Sequence, residues 1–308
     1  MSALRDALPE YLAVRRALGF KMEREGRLLP DFISYLELRG APAVTTALAL
    51  EWARQPPDGH PAWWAQRLGA VRGLAKHLQA FDARTEVPPP ELLPHCSRRA
   101  TPFLYSPQDI ARLMEAARNL RLPLRVATYT TLIGLLAVTG LRTGEAIRLD
   151  RQDVDWTQGL LIIRNSKFGK SREVPLQDST VEALRGYERV RDRHVRRPKA
   201  PSFLLSIRGT RLIYKNVHRT FLDIVRAAGL QPRSAHCRPR PHDLRHTFAV
   251  STLLGWYRSG ADVEARLPLL STYLGHADPG STYWYLSATP ELLSLAARRL
   301  ERASEPRP

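Results

Sequence analysis

Apolar positions recur at helical spacing through the first 85 residues. Leu4, Leu8, Leu12 and Leu18 form one stripe that closes at Gly19. The pattern predicts a second helix from about Arg27 to Leu38, stopping at Gly40, and a third over Thr45 to Ala53, ahead of Pro56 and Pro57. A fourth runs from about Ala62 to Phe81, and no stretch of alternation interrupts the four. Residues 1–85 therefore read as a small all-helical domain. Pro88, Pro89, Pro90 and Pro94 then break regular structure, so 86–102 is expected to be a semi-rigid extended linker. A second domain is expected over 103–308.

That second part opens on Ser106-Pro107-Gln108-Asp109, with a capping serine, a proline at the first helical position and an acid at the third. An apolar helix over about Tyr129 to Thr139 ends at Gly140. Leu160 to Ile163 reads as a short buried strand, and Glu173 to Leu176 as its return across a polar, basic tip. Helices are expected over Ser179 to Arg193, Tyr214 to Ala228, Pro241 to Leu254, Leu267 to Leu274 and Pro290 to Leu300. The fold class is thus mainly α with a small antiparallel β-sheet.

Charge changes the picture. The 308-residue chain carries 47 Lys and Arg against 30 Asp and Glu, a net +17. That excess favours a polyanionic partner, most often nucleic acid. It is uneven: residues 1–85 hold 12 cations and 9 anions, whereas 102–308 hold 33 and 19. The stronger grip is expected from the second part. All but six of the cations are Arg, which suits bidentate phosphate contacts, although abundant Ala, Leu and Pro also fit a compositional bias. The longest apolar run, Leu132 to Val138, is far short of the roughly 18 residues of a membrane span. The first ten residues hold no continuous apolar core of a secretory signal, and two cysteines, Cys96 and Cys237, give no framework of bridges. A cytoplasmic, nucleoid-associated protein with no membrane partner is expected.

Four segments hold candidate chemistry. Thr139-Gly140-Leu141-Arg142-Thr143-Gly144-Glu145 brackets an arginine between glycines at a helix junction. Lys167 and Lys170 sit in the hairpin tip. Pro241-His242-Asp243-Leu244-Arg245-His246 puts His242 and Arg245 on one helical face, where both can address one anion. Leu274-Gly275-His276 is followed nine residues on by Tyr285, within Tyr283-Trp284-Tyr285. Each alone is more simply a capped helix end, a solvated cation or packed aromatics. A bare His-Asp pair is weak evidence for a metal site, and no matching ligand cluster supports one.

Together, in this order and spacing, the segments resemble the tyrosine recombinase, or phage-integrase-like, family. The family pattern falls on Arg142 with Glu145, Lys167, His242 with Arg245, His276 and Tyr285. Lys167 is preferred to Lys170 because it lies eight residues before Pro175, and Tyr285 to Tyr283 because it lies nine after His276. The resemblance covers about residues 103–300, and the front domain resembles the family's core-binding half by architecture alone. It implies a helical core-binding domain joined to a mixed α/β catalytic domain. It implies site-specific strand exchange by a mobile element's integrase or transposase, through a 3′-phosphotyrosyl link, without metal, ATP or any cofactor. In that scheme Arg142 and Arg245 hold the phosphate oxygens, His242 accepts the phenolic proton and Lys167 protonates the leaving 5′-oxygen. His276 bonds a phosphate oxygen and Glu145 orients Arg142 or His242. Implied partners are double-stranded DNA, a homo-tetramer on two DNA sites, and accessory DNA-bending proteins. Arg233, Arg238, Arg240 and Lys170 are candidate DNA contacts. The apolar face of the last helix fits a neighbouring protomer or its own domain equally well. Two other outcomes remain open to the same residues: a type IB topoisomerase-like nick-and-reseal enzyme, and a non-catalytic DNA-binding protein that keeps the fold.

Overall fold

A computed structural model describes residues 3–55, 57–94, 101–164, 171–276, 278, 280–287 and 289–304. The chain divides into two compact units, Met1–Arg99 and Ala100–Pro308.

The first unit is built from α1 (Ala3–Ala17), α2 (Glu25–Leu38), α3 (Thr46–Ala53) and α4 (Pro61–Leu78). Its boundaries follow local chemistry. The Thr45 side chain accepts the Leu48 amide ahead of α3, and Pro61 opens α4, where its missing N–H costs nothing. Leu8 and Leu12 of α1, Phe32 and Leu36 of α2, Trp52 of α3 and Val71 and Leu74 of α4 meet in one core. The proline-rich stretch after α4 lies against this unit. Proline offers no N–H, but its carbonyl still accepts, and Arg72 donates from Nε to Pro88 O at 2.7 Å and from a terminal nitrogen to Pro89 O at 2.8 Å. Leu93 beyond it is buried in the same core.

The second unit begins with α5 (Pro107–Arg118), where Ser106 and Asp109 cap each other's backbone amides in a reciprocal box. α6 (Pro123–Thr139) and α7 (Thr143–Arg148) follow, then a three-stranded antiparallel sheet in the order β1 (Val154–Asp155), β2 (Leu160–Ile163), β3 (Arg172–Pro175). Leu161 pairs with Val174, and both are buried. The helices α8 (Asp178–His194), α9 (Tyr214–Ala227), α10 (Asp243–Arg258) and α11 (Val263–Leu274) come next. The short α12 (Gly280–Tyr283), a 3₁₀ turn (Trp284–Ser287) and α13 (Pro290–Ser304) close the chain. One apolar core spans α5 to α9 and the sheet. A second joins α10 and α11 to Tyr285 and Leu292.

The mainly helical class with a small antiparallel sheet matches the expectation. Four of these elements went unread. α7, α12 and the 3₁₀ turn are too short for a period to show, and β1 is only two residues long. α11 starts four residues earlier than expected because Asp262 accepts the amides of Glu264 and Ala265, so Pro268 falls inside the helix. Among the described residues no helix is long and apolar enough to cross a membrane.

Candidate active site

Two left-handed glycines build the floor of the site. Gly140 ends α6 at φ 61°, and a Cβ there would lie 2.5 Å from the Phe248 ring. Gly275 ends α11 at φ 67°, and a Cβ there would lie 2.8 Å from the Arg172 guanidinium. Both turns thus need glycine for conformation and for room. Each leaves carbonyl groups at a helix C-terminus, where partial negative charge gathers. Two arginines take them. Arg245 donates to Gly140 O at 2.8 Å and to Leu274 O at 2.7 Å. Arg142 donates to Gly275 O at 2.9 Å. Because Leu274 and Gly275 are consecutive, the two guanidinium groups are held side by side.

Glu145 secures this arrangement. It accepts the Arg142 amide at 3.0 Å and the Arg142 guanidinium at 2.7 Å. Arg172 of β3 meets the same carboxylate at 2.8 and 3.2 Å, and donates from Nε to Tyr273 O at 2.7 Å. Burial alone would raise the Glu145 carboxyl, but Arg172 and then Arg142 hold it down at about 2. Two guanidinium groups therefore share one carboxylate. Arg245 is 1% exposed, and burial followed by the charge of Arg142 lowers it to about 10. Such a surplus of buried positive charge is costly without an anion to meet it.

Two histidines border the arginines. His242, at the start of α10, is exposed, yet desolvation by its neighbours and the charges of Arg245 and Arg142 push it down to about 4. His276 bonds Thr282 Oγ1 through Nδ1 at 2.7 Å, and burial with the same two arginines lowers it to about 4. Both imidazoles are neutral near pH 7. Tyr285 lies 2% exposed on the 3₁₀ turn, its ring stacked 6.1 Å from that of His276. Its hydroxyl lies 3.1 Å from His246 Nδ1. Tyr283, by contrast, is 55% exposed.

Arg142, Glu145, His242, Arg245, His276 and Tyr285 thus come together. Lys167 and Lys170 lie outside the described residues. Two of the arginines read as DNA contacts are engaged by the protein. Arg233 donates to Leu104 O at 2.9 Å and lies over the Phe103 ring. Arg240 makes two bonds, at 3.1 and 2.8 Å, to the buried Asp243 carboxylate. Arg238 is exposed. No local pattern marks Arg172 or Thr282. His246 carried one signal, its place four residues after His242 on the same helical face. Among the described residues no three His, Cys, Asp or Glu side chains cluster as a metal site would require.

Comparison with known proteins gives the family. Residues 104–291 match the phage integrase family. A putative integrase/recombinase of Sinorhizobium fredii, y4rB, is 47% identical over 313 residues and covers 100% of both chains. Tyrosine recombinase XerD of Mycobacterium leprae is 33% identical over 241 residues, covering 74% of this chain and 70% of its own. Among solved structures, the Tn1549 transposon integrase in complex with transposon right-end DNA shares the fold. It has a TM-score of 0.64 at 16% identity and spans 98% of this chain and 99% of its own. The family match and the XerD relative define the class, enzymes that break and rejoin DNA strands. The chain belongs to the phage integrase family, the tyrosine recombinases.

Proposed function

We propose that the chain is a site-specific recombinase of the integrase or transposase type that cuts DNA through a 3′-phosphotyrosyl intermediate. One observation carries this reading: Arg142 and Arg245 are fixed on neighbouring carbonyls, and the Tyr285 ring stacks on His276, the residue after those carbonyls. A phosphodiester holds one negative charge, and its five-coordinate transition state gathers more on the non-bridging oxygens. Paired guanidinium donors, charged at any working pH, meet that change without reorganising. Tyr285 Oη attacks phosphorus, the bond to the 5′-oxygen breaks, and Lys167 gives that oxygen its proton. His276 and His242, both neutral at rest, border the phosphate, and His276 donates to one of its oxygens. Glu145 keeps Arg142 aimed and stays off the phosphate, whose charge it would repel.

The covalent link conserves the energy of the broken bond, so a 5′-hydroxyl of another strand can reverse the step without ATP. Exchange between two duplexes breaks four strands, and one tyrosine serves each, so the working assembly is a homo-tetramer on two DNA sites. The all-helical front unit serves as the core-binding domain. Such a protein works in the cytoplasm, on the nucleoid.

A pool of nicked duplexes of mixed sequence tests the reading. Wild-type chain is expected to give a covalent adduct on a denaturing gel, retained by Tyr283→Phe and abolished by Tyr285→Phe. Sequencing the adducted duplexes then defines the site. No wild-type adduct, or an adduct that survives Tyr285→Phe, overturns it. Two marked copies of the recovered site should give joint molecules. Relaxation of supercoils without joint products would instead indicate a nick-and-reseal enzyme.

A further inference from the structure

We infer that His246 takes the proton from Tyr285 during strand cleavage, a role that the sequence pattern assigned to His242. The inference rests on the reading of Tyr285 as nucleophile and deepens it.

A phenol with an ordinary pKa of about 10 is almost wholly protonated at neutral pH, so attack requires a base within hydrogen-bond reach. The structure places His246 there. His246 Nδ1 lies 3.1 Å from Tyr285 Oη, and the ring centroids are 5.5 Å apart. A phenol can donate only to a bare ring nitrogen, which puts the imidazole proton of His246 on Nε2. Helix geometry explains the choice of histidine. His242 stands at the N-terminal edge of α10, with the arginine pair beside it. His246 lies one turn further along α10, and its ring meets that of His242 edge-on at 4.8 Å. The side facing the 3₁₀ turn falls to His246, which touches both Tyr285 and Trp284. His242 from its own helix and Tyr285 and Trp284 from the turn all face His246.

The step balances. The Oη–P bond forms, the P–O5′ bond breaks, the phenolic proton moves to His246 Nδ1 and the leaving oxygen takes its proton from Lys167. Rejoining runs in reverse: the incoming 5′-hydroxyl returns its proton to Lys167, and His246 returns its own to the departing phenol. His242 is then left to the phosphate.

The test measures the rate of adduct formation on the nicked duplex recovered above. It uses the full-length chain carrying either tyrosine or a more acidic ring-fluorinated tyrosine at position 285. His246→Gln keeps a hydrogen-bonding side chain but cannot take a proton. It is expected to slow cleavage about 10²-fold with tyrosine, within the usual range for a lost general base. The gap should narrow with the fluorinated phenol, which needs less help. His246→Ala should regain rate when free imidazole is added. His242→Gln should lose the same factor with either phenol. An unchanged rate in His246→Gln, an equal loss with both phenols, or a phenol-dependent loss in His242→Gln overturns the inference. In each of those cases the wild-type adduct persists, so the reading of Tyr285 stands. If the wild-type adduct is absent, that reading fails first.

Discussion

Arg172 shows how much a single side chain does here. It ties β3 to the N-terminus of α7 through Glu145 and to the end of α11 through Tyr273 O. Its side chain is 10% exposed and that of Glu145 is 2% exposed. Removing one partner of a buried pair strands the other, so Arg172→Ala is expected to cost about 3 kcal/mol of stability by denaturant unfolding. The same change should slow adduct formation, because Arg142 loses part of its anchor. The histidines make stability depend on pH in a defined window. His242 and His276 bind protons at about 4 when folded and near 6.5 when unfolded. Between these values the unfolded chain carries more protons, so stability is full above 6.5 and is lost as pH falls towards 4. Glu145, held at about 2 against 4.5, adds a further loss between 4.5 and 2. Thermal melts across pH 7 to 4 should show the first loss, and His276→Gln should flatten it. At this scale the sequence was legible where spacing is local: His242 with Arg245, Gly275 with His276. Arg172 and His246 were not legible, because their partners Glu145 and Tyr285 lie 27 and 39 residues away. Only the tertiary fold brings such pairs together.

Among elements, the junctions carry the chemistry. α6 and α11 both end in left-handed glycine, and both C-termini point carbonyls at the arginines. The glycines were readable as helix stops, but the sharing of their carbonyls was not. The last helix poses a different question. Its apolar face was open to either its own domain or a neighbour. In this structure Leu292 is fully buried in the core of α10 and α11, and Glu291 pairs with Arg258 of α10 at 2.6 Å. The same core holds Tyr285. Leu292→Ala should therefore cost about 2–5 kcal/mol, as large-to-small core changes do. Hydrogen exchange should show the loss concentrated in α10, α11 and α13, with the core of α5 to α9 spared.

At the scale of the whole molecule, a net charge of +17 makes any DNA complex sensitive to salt. The logarithm of affinity is expected to fall linearly with the logarithm of salt concentration, by about 0.9 per phosphate neutralised. The arginines before α10 should separate in this measurement. Arg238, exposed, should reduce the slope by about one when changed to Ala if it meets a phosphate. Arg240 and Arg233 are bound to Asp243 and Leu104, so their loss should lower the melting temperature and leave the slope nearly unchanged. Composition announced the polyanion but could not rank these cations, because each looks alike until its partners are known.

The cover over Tyr285 has a corollary for the resting enzyme. A group able to attack phosphorus is equally open to nitrating, iodinating or acylating agents wherever it meets solvent. With Tyr285 2% exposed and Tyr283 55% exposed, such reagents are expected to modify Tyr283 first. On the proposed reading, the idle protein keeps the attacking oxygen sheathed, two residues from a ring that solvent reaches.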